Sequence, residues 1–408
     1  RDSFIVKSKL YNADFVRDRT EGFDNFLKEI ERQDVDRLAK VAGVDKQLVK
    51  EAAIAYATAR NSMEFHGLGV TEHEQGSKTV MLIADLAMIT GNIGRKGVGV
   101  NPLRGQNNVQ GAADMGCQPH QGAGYFPVDK EENQKFYTEK YGVTHPTKAG
   151  LKIPQMFEAA ISKELKGLWI IGEDIVQTDP NSAHVIEAMN SLELLVVQEI
   201  FMSETAKLAT VVLPGTTFLE KDGTFTNTER RIQRVNRAVP PLPGTKPDGL
   251  IVTEMMQKLG FDQPSYDADQ VLEEIADIVP FFKGVTRERL GKFGLQWPVK
   301  EDGTDTQILH TETFKLGKGR LKNFDWKESS EIEANQKDYP LILTTSRVLQ
   351  HYNAATMTRR TKNINIVDED VLLIHPKDAA HRDLNTGDIG RLYSGRGEVA
   401  LKVEVTDK

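Results

Sequence analysis

Leu168-Trp169-Ile170-Ile171-Gly172-Glu173-Asp174 is an apolar run that stops at a glycine and two carboxylates. Bounded this way, a run of four large apolar residues reads as a strand buried on both faces, as in a parallel sheet. The pattern then repeats. A helix starting near Asp179 or Asn181 carries Val185, Ile186 and Met189 on one face; Leu194-Leu195-Val196-Val197 leads into Gln198-Glu199, a short helix follows, and Thr210-Val211-Val212-Leu213 closes the series. Strand, helix, strand, helix, strand at this spacing calls for parallel pairing through right-handed crossovers. Ligands of such sheets sit beyond the carboxyl ends of the strands. Those ends carry Gly172, Glu173, Asp174, Thr178, Gln198, Glu199, Pro214 and Gly215. A carboxylate there can cap a helix or accept from the amino edge of a guanine, and both readings stand.

Working back toward the N-terminus, Ser62-Met63-Glu64-Phe65-His66 reads as a second strand, running into Gly67-Leu68-Gly69-Val70-Thr71-Glu72. Spaced glycines after a strand let backbone approach a ligand closely, although Gly-x-Gly alone is equally a plain turn. Ser77 is the expected N-cap of a helix with Val80, Leu82, Ile83, Leu86, Ala87 and Ile89, apolar over most of its circumference and therefore buried, with Met81 and Met88 as core filling. Gly91 stops it, and Gly94, Gly97 and Gly99 shape the next turn. Tyr11 to Ala59 reads as helical, with Asp45 as an N-cap.

That turn delivers the chain to Asn101-Pro102-Leu103-Arg104-Gly105-Gln106-Asn107-Asn108-Val109-Gln110-Gly111, a loop with one guanidinium and several carboxamides. It could be an Asn- and Gln-rich turn satisfying its own backbone. Its arginine, however, has no acidic neighbour before Asp114, and such an arginine suits a carboxylate or phosphate. Farther on, Cys117 and His120 invite a metal reading, but two ligands do not close a tetrahedral site.

The totals are those of an ordinary globular chain: 408 residues, 39% hydrophobic, 27% charged, net charge -7 with the signs interspersed. That balance argues against nucleic acid and anionic membrane surfaces as partners, and no apolar run reaches the length of a membrane span. Cys117 is the single cysteine, so the chain holds no internal disulfide and cannot alone ligate an iron–sulfur cluster.

Pro102 to Gly111, continued by Asp114-Met115-Gly116, resembles the signature of the molybdopterin oxidoreductases of the formate dehydrogenase type. The resemblance recurs at Glu220 to Arg234, at Lys246-Pro247-Asp248 with the helix after it, and at Arg347-Val348-Leu349-Gln350-His351-Tyr352-Asn353. It implies that Arg104 pairs with the formate carboxylate and that Gln106 contacts a pterin. Leu68 and Glu72 would lie on the pterin-contacting turn. Gly172, Glu173, Asp174, Thr178, Gln198, Glu199 and Asp248 would hold the dinucleotide, and Arg347, His351 and Asn353 would reach it from a cap; a lone histidine, taken by itself, reads as structural.

By the same resemblance the fold is α/β: Rossmann-like parallel-sheet pterin-binding domains followed by a C-terminal six-stranded β-barrel-like domain, truncated at Lys408. The expected domains are residues 1–107 and 108–260, both dinucleotide-binding; 261–335, connecting; and 336–408, the cap, opening with a strand at Tyr339 to Thr345. The implied reaction is the reversible two-electron oxidation of formate to carbon dioxide. The implied cofactors are bis-molybdopterin guanine dinucleotide with molybdenum or tungsten, and a 4Fe-4S cluster. The family's four cluster cysteines and its Cys-His or selenocysteine-His metal ligand are missing here, so the chain is expected to be the later part of a longer polypeptide, with the ligand upstream of Arg1. Expected partners are iron–sulfur electron-transfer subunits and a NAD- or hydrogenase-linked module, in the cytoplasm. A nitrate reductase-like oxidoreductase and a non-catalytic pterin-fold scaffold are the alternatives.

Overall fold

A computed structural model describes residues 1–407 and separates them into two units, each with its own core. The first comprises Arg1–Pro127, Thr224–Arg234 and Asp269–Glu333; the second comprises Val128–Gly223, Val235–Ala268 and the chain from Ala334 onward.

In the first unit the helices Asp2–Lys7, Ala13–Arg19, Phe23–Arg32, Val35–Val41 and Lys46–Thr58 open the chain. Each of three starts on a side chain that accepts a backbone N–H: Asn12 from Phe15, Asp34 from Arg37 and Asp45 from Gln47. Such caps satisfy donors that the first turn would otherwise leave open. Phe26, Ile30, Val16, Ala53, Leu86 and Ile89 meet in one core. Each large side chain so buried contributes about 1.5–3 kcal/mol.

Strand Met63–His66 pairs in parallel with Gly99–Pro102, Met63 opposite Gly99 and His66 opposite Pro102. The crossover between them is the helix Gly76–Ile89. Its start differs from the sequence reading: the cap is Gln75, not Ser77, and no side chain bonds it. Gly76 sits so close to the preceding short helix Leu68–Thr71 that a Cβ there would stand 2.1 Å from the Thr71 carbonyl oxygen. Close backbone approach therefore sets the start, where a polar cap was anticipated. The burial is also less complete. Met88 is in the core as expected, but Met81 is 47% exposed, because the Asp85–Ile89 end of the helix is the part most fully covered. Arg231–Ile232 pairs antiparallel with Leu295–Gln296 in the same unit.

The second unit contains the sheet that the sequence demanded. Gly167–Ile171, Leu194–Glu199 and Val211–Pro214 lie in that order, all parallel, Ile171 opposite Gln198 and Glu199 opposite Pro214. The helix Ser182–Ser191 packs Val185, Ala188 and Met189 against Ile170, Leu195 and Val197.

Toward the C-terminus, Val371–Ile374, Ile389–Ser394 and Gly397–Val405 form the short strands anticipated there, with the last strand central, parallel to the first and antiparallel to the second. Two expectations fail. Tyr339 to Thr345 is not a strand: it joins no sheet among the described residues, and Leu341, Ile342 and Leu343 are consecutive exposed side chains. The described residues hold a three-stranded sheet in this region, not a six-stranded barrel, since a barrel needs each edge strand to find a neighbour.

Candidate functional site

In the first unit the loop after Gly99–Pro102 begins with a tie back to the neighbouring strand: Leu103 N–H donates to the His66 carbonyl at 2.7 Å. His66 is buried, and its Nδ1 has no hydrogen-bond partner among the described residues. Leu103 to Asn107 are then exposed. Arg104 lies in this stretch with its guanidinium donating no hydrogen bond among the described residues, while its backbone N–H donates to Thr228 Oγ1 at 3.1 Å. Thr228 Oγ1 in turn donates to the Pro102 carbonyl at 2.6 Å. Gln106 shares the exposed stretch, and Leu68 and Glu72 are exposed beyond the paired strand, so the sequence-derived contacts of this unit face solvent.

Next to the loop lies a polar knot that pattern reading missed. Asp114 is fully buried; its Oδ1 accepts from Gln110 Nε2 at 2.9 Å and from the Tyr125 hydroxyl at 2.7 Å, and its Oδ2 accepts from Trp297 Nε1 at 2.9 Å. Burial pushes the Asp114 carboxyl above its ordinary range, against its three donors and the Arg104 charge. The Tyr125 hydroxyl is pushed up too, first by burial and then by its bond to Asp114. Phe281 lies between Tyr125 and Trp297, 5.9 Å and 4.7 Å from their ring centres. The sequence signals were that Asp114 is the first acid after Arg104 and that Asp114-Met115-Gly116 continues the resemblance; the partner Trp297 lies 183 residues away.

In the second unit the strand ends form a corner. Gly172 has φ +65°, which glycine adopts without strain, and its N–H donates to the Gln198 carbonyl at 2.8 Å. Glu173 is exposed and accepts from the Thr178 hydroxyl at 3.2 Å. Asp174 is buried, its Oδ1 accepting from the N–H and hydroxyl of Thr205 at 3.0 and 2.8 Å, so this carboxylate ties one crossover to the next. Gln198, almost completely buried, donates from Nε2 to Asp248 Oδ1 at 2.7 Å, and Lys221 pairs with the other Asp248 oxygen. Glu199 is pushed up by burial and then by the nearby Asp174 and Glu173 charges. Three buried atoms of this unit, Trp169 Nε1, Gln198 Oε1 and Thr216 Oγ1, have no partner among the described residues.

The segment bearing Arg347, His351 and Asn353 approaches this corner. Gln177 Nε2 donates to the Ala354 carbonyl at 3.5 Å, and Arg360 lies 4.8 Å over the Phe201 ring. Arg347 and Asn353 are exposed, the latter in the left-handed region at φ +47°. His351 is buried with both ring nitrogens engaged, Nδ1 with Thr358 Oγ1 at 3.0 Å and Nε2 with the Val367 carbonyl at 2.7 Å. In this geometry it holds the segment's shape. Cys117 and His120 are exposed, and no group of three metal-ligating side chains gathers among the described residues. No helix among them is long and apolar enough to cross a membrane.

Residues 15–258 match the family model of molybdopterin oxidoreductases, and residues 341–408 match that of the molydopterin dinucleotide binding domain. The F420-dependent formate dehydrogenase subunit alpha of Methanocaldococcus jannaschii is 41% identical over 407 residues, covering 99% of this chain and 60% of that one. Formate dehydrogenase H of Escherichia coli is 33% identical over 411 residues, covering 99% and 58%. The chain thus spans about three-fifths of the length of these relatives. Acetylene hydratase from Pelobacter acetylenicus superposes with a TM-score of 0.73 at 18% identity, over 99% of this chain and 60% of that one, a likeness of fold.

Proposed function

The chain belongs to the molybdopterin oxidoreductase family, and we propose that it is the later part of a formate dehydrogenase catalytic subunit, oxidising formate to carbon dioxide in the cytoplasm. One observation carries this reading: Arg104 is an exposed cation with an unbonded guanidinium, set on a loop at the carboxyl end of a parallel strand pair. A guanidinium so placed can take a carboxylate in a forked, two-bond geometry at any working pH. Asp114, the acid nearest in sequence, would compete for Arg104 if ionised. Its burial shifts it toward the neutral form and weakens that competition.

The family's group fits the residues present. Glu173 offers an exposed carboxylate to the amino edge of a guanine, and Gln198 Oε1 and Thr216 Oγ1 are buried polar atoms still owed partners. Gly172, Glu173, Thr178, Gln198, Glu199 and Asp248 would hold the dinucleotide, Leu68, Glu72 and Gln106 the pterin, and Arg347 and Asn353 would cover it. When bound, the molybdenum or tungsten bis-pterin group supplies the two-electron chemistry that side chains lack. Arg104 binds and orients the substrate carboxylate and does not itself take a proton. On this reading residues 1–107 and 108–260 are the dinucleotide-binding regions, 261–335 connect, and 336–408 form the cap; electrons leave to iron–sulfur subunits.

Formate-dependent reduction of a viologen dye by the full-length protein tests the proposal. Turnover with formate and none with nitrate is the expected result. Nitrate reduction without formate oxidation would transfer the site to the nitrate reductase reading, and a protein inert to both would be a scaffold.

A further inference from the structure

We propose that Thr228 is a positioning residue for Arg104: its hydroxyl ties the end of a parallel strand to the anion-binding loop and sets where the guanidinium stands. The inference rests on the role just proposed for Arg104.

Leu103 N–H ties the start of the loop to the His66 carbonyl at 2.7 Å, and Leu103 to Asn107 are exposed. Pro102 has no N–H to donate, but its carbonyl is open to a donor. Thr228 Oγ1 supplies the link, donating to the Pro102 carbonyl at 2.6 Å while accepting from the Arg104 N–H at 3.1 Å. A hydroxyl can donate and accept at once; a branched hydrocarbon of the same shape can do neither. The same segment holds the far end of the loop, because Thr226 N–H donates to Asn108 Oδ1 at 2.9 Å. That second tie explains Gly111, where a Cβ would stand 2.3 Å from Asn108 Oδ1.

The clamp is itself braced. Asn227 Oδ1 accepts from the N–H groups of Glu229 and Arg231, at 3.1 and 3.0 Å. Arg230 lies 5.3 Å over the Trp297 ring and donates to the carbonyls of Trp297, Thr306 and Gln307. A turn fixed at Asn227 and Arg230 therefore presents Thr226 and Thr228 at a constant spacing to the exposed loop. The charged run from Glu229 to Arg231 thus braces the substrate loop.

The test compares Thr228→Val with Thr228→Ser in the full-length, cofactor-loaded protein, reading formate KM and kcat and, separately, hydrogen exchange of the Arg104 amide. Losing one such tie is expected to raise KM roughly fivefold while kcat changes less than about twofold, since the arginine holds the carboxylate in ground and transition states alike. The Arg104 amide is expected to exchange faster in Thr228→Val, and Thr228→Ser to restore both readouts. Asn108→Leu, cutting the far tie, is expected to speed exchange at the other end of the loop. Unchanged KM and unchanged exchange in Thr228→Val would overturn the proposal, as would equal defects in Val and Ser. Should the wild type fail to oxidise formate, the functional reading falls and amide exchange alone decides the clamp.

Discussion

Asp85 offers a quantitative check on the first unit. It sits in the buried end of the Gly76–Ile89 helix, 1% exposed, and one hydrogen bond reaches its carboxylate, from the Lys322 N–H at 3.3 Å. Burial pushes its carboxyl up to about 8, with the Asp2 charge adding to the shift and the Lys322 bond opposing it. In the unfolded chain an aspartate releases its proton near pH 4, so in the window between, the folded chain binds more protons, and stability falls as pH rises. At 1.36 kcal/mol per pH unit, a carboxyl moved from near 4 to about 8 costs on the order of 5 kcal/mol by pH 8. Asp85→Asn abolishes the titration but buries an extra N–H pair, at about 1–2 kcal/mol. The variant is therefore expected to match wild type near pH 5 and to be more stable near pH 8, by about 3–4 kcal/mol. Urea unfolding midpoints of both proteins at the two pH values measure this. Parallel pH dependence in variant and wild type would refute the reasoning.

Other consequences are as direct. Arg104→Lys replaces a fork by a point charge, and formate KM is expected to rise about tenfold or more, measured by steady-state dye reduction. Asp114→Leu leaves the Tyr125 hydroxyl and Trp297 Nε1 without an acceptor, Gln110 keeping its bond to the Tyr125 oxygen, and is expected to destabilise the protein by about 3 kcal/mol or more, read from the urea midpoint. Phe26→Ala in the helical core is expected to cost about 3–5 kcal/mol in the same assay. The 408 residues alone, with a single cysteine where a cluster needs about four thiolates, are expected to show no formate-dependent dye reduction.

The parallel sheet of the second unit was legible because its information is local. Strands buried on both faces must be apolar throughout, so Leu168 to Ile171 and Leu194 to Val197 declare themselves, and the polar residues that interrupt them mark the ligand edge. Asp45 works the same way, capping the helix that follows it by accepting the Gln47 N–H. Arg104 and Glu173 could be singled out as candidates for a related reason: short chemical signatures lie contiguous in the chain. Burial differences within one helix, such as Met81 against Met88, and the barrel strand expected at Tyr339 to Thr345 depend on what packs alongside, which local pattern does not encode.

The sequence by itself determined the α/β class, the strand edges and an arginine loop without an acidic neighbour. Tertiary structure alone decided which groups attend that loop: Thr228 is 124 residues from Arg104, and Trp297 is 183 from Asp114. It also gave His351 to Thr358 and Val367 and Asp174 to Thr205. The physical reason is one of range. Hydrophobic periodicity and capping act over a few residues and leave a trace in the order of amino acids, whereas a hydrogen bond across the fold requires only that two atoms arrive together, and the chain between them carries no mark of it.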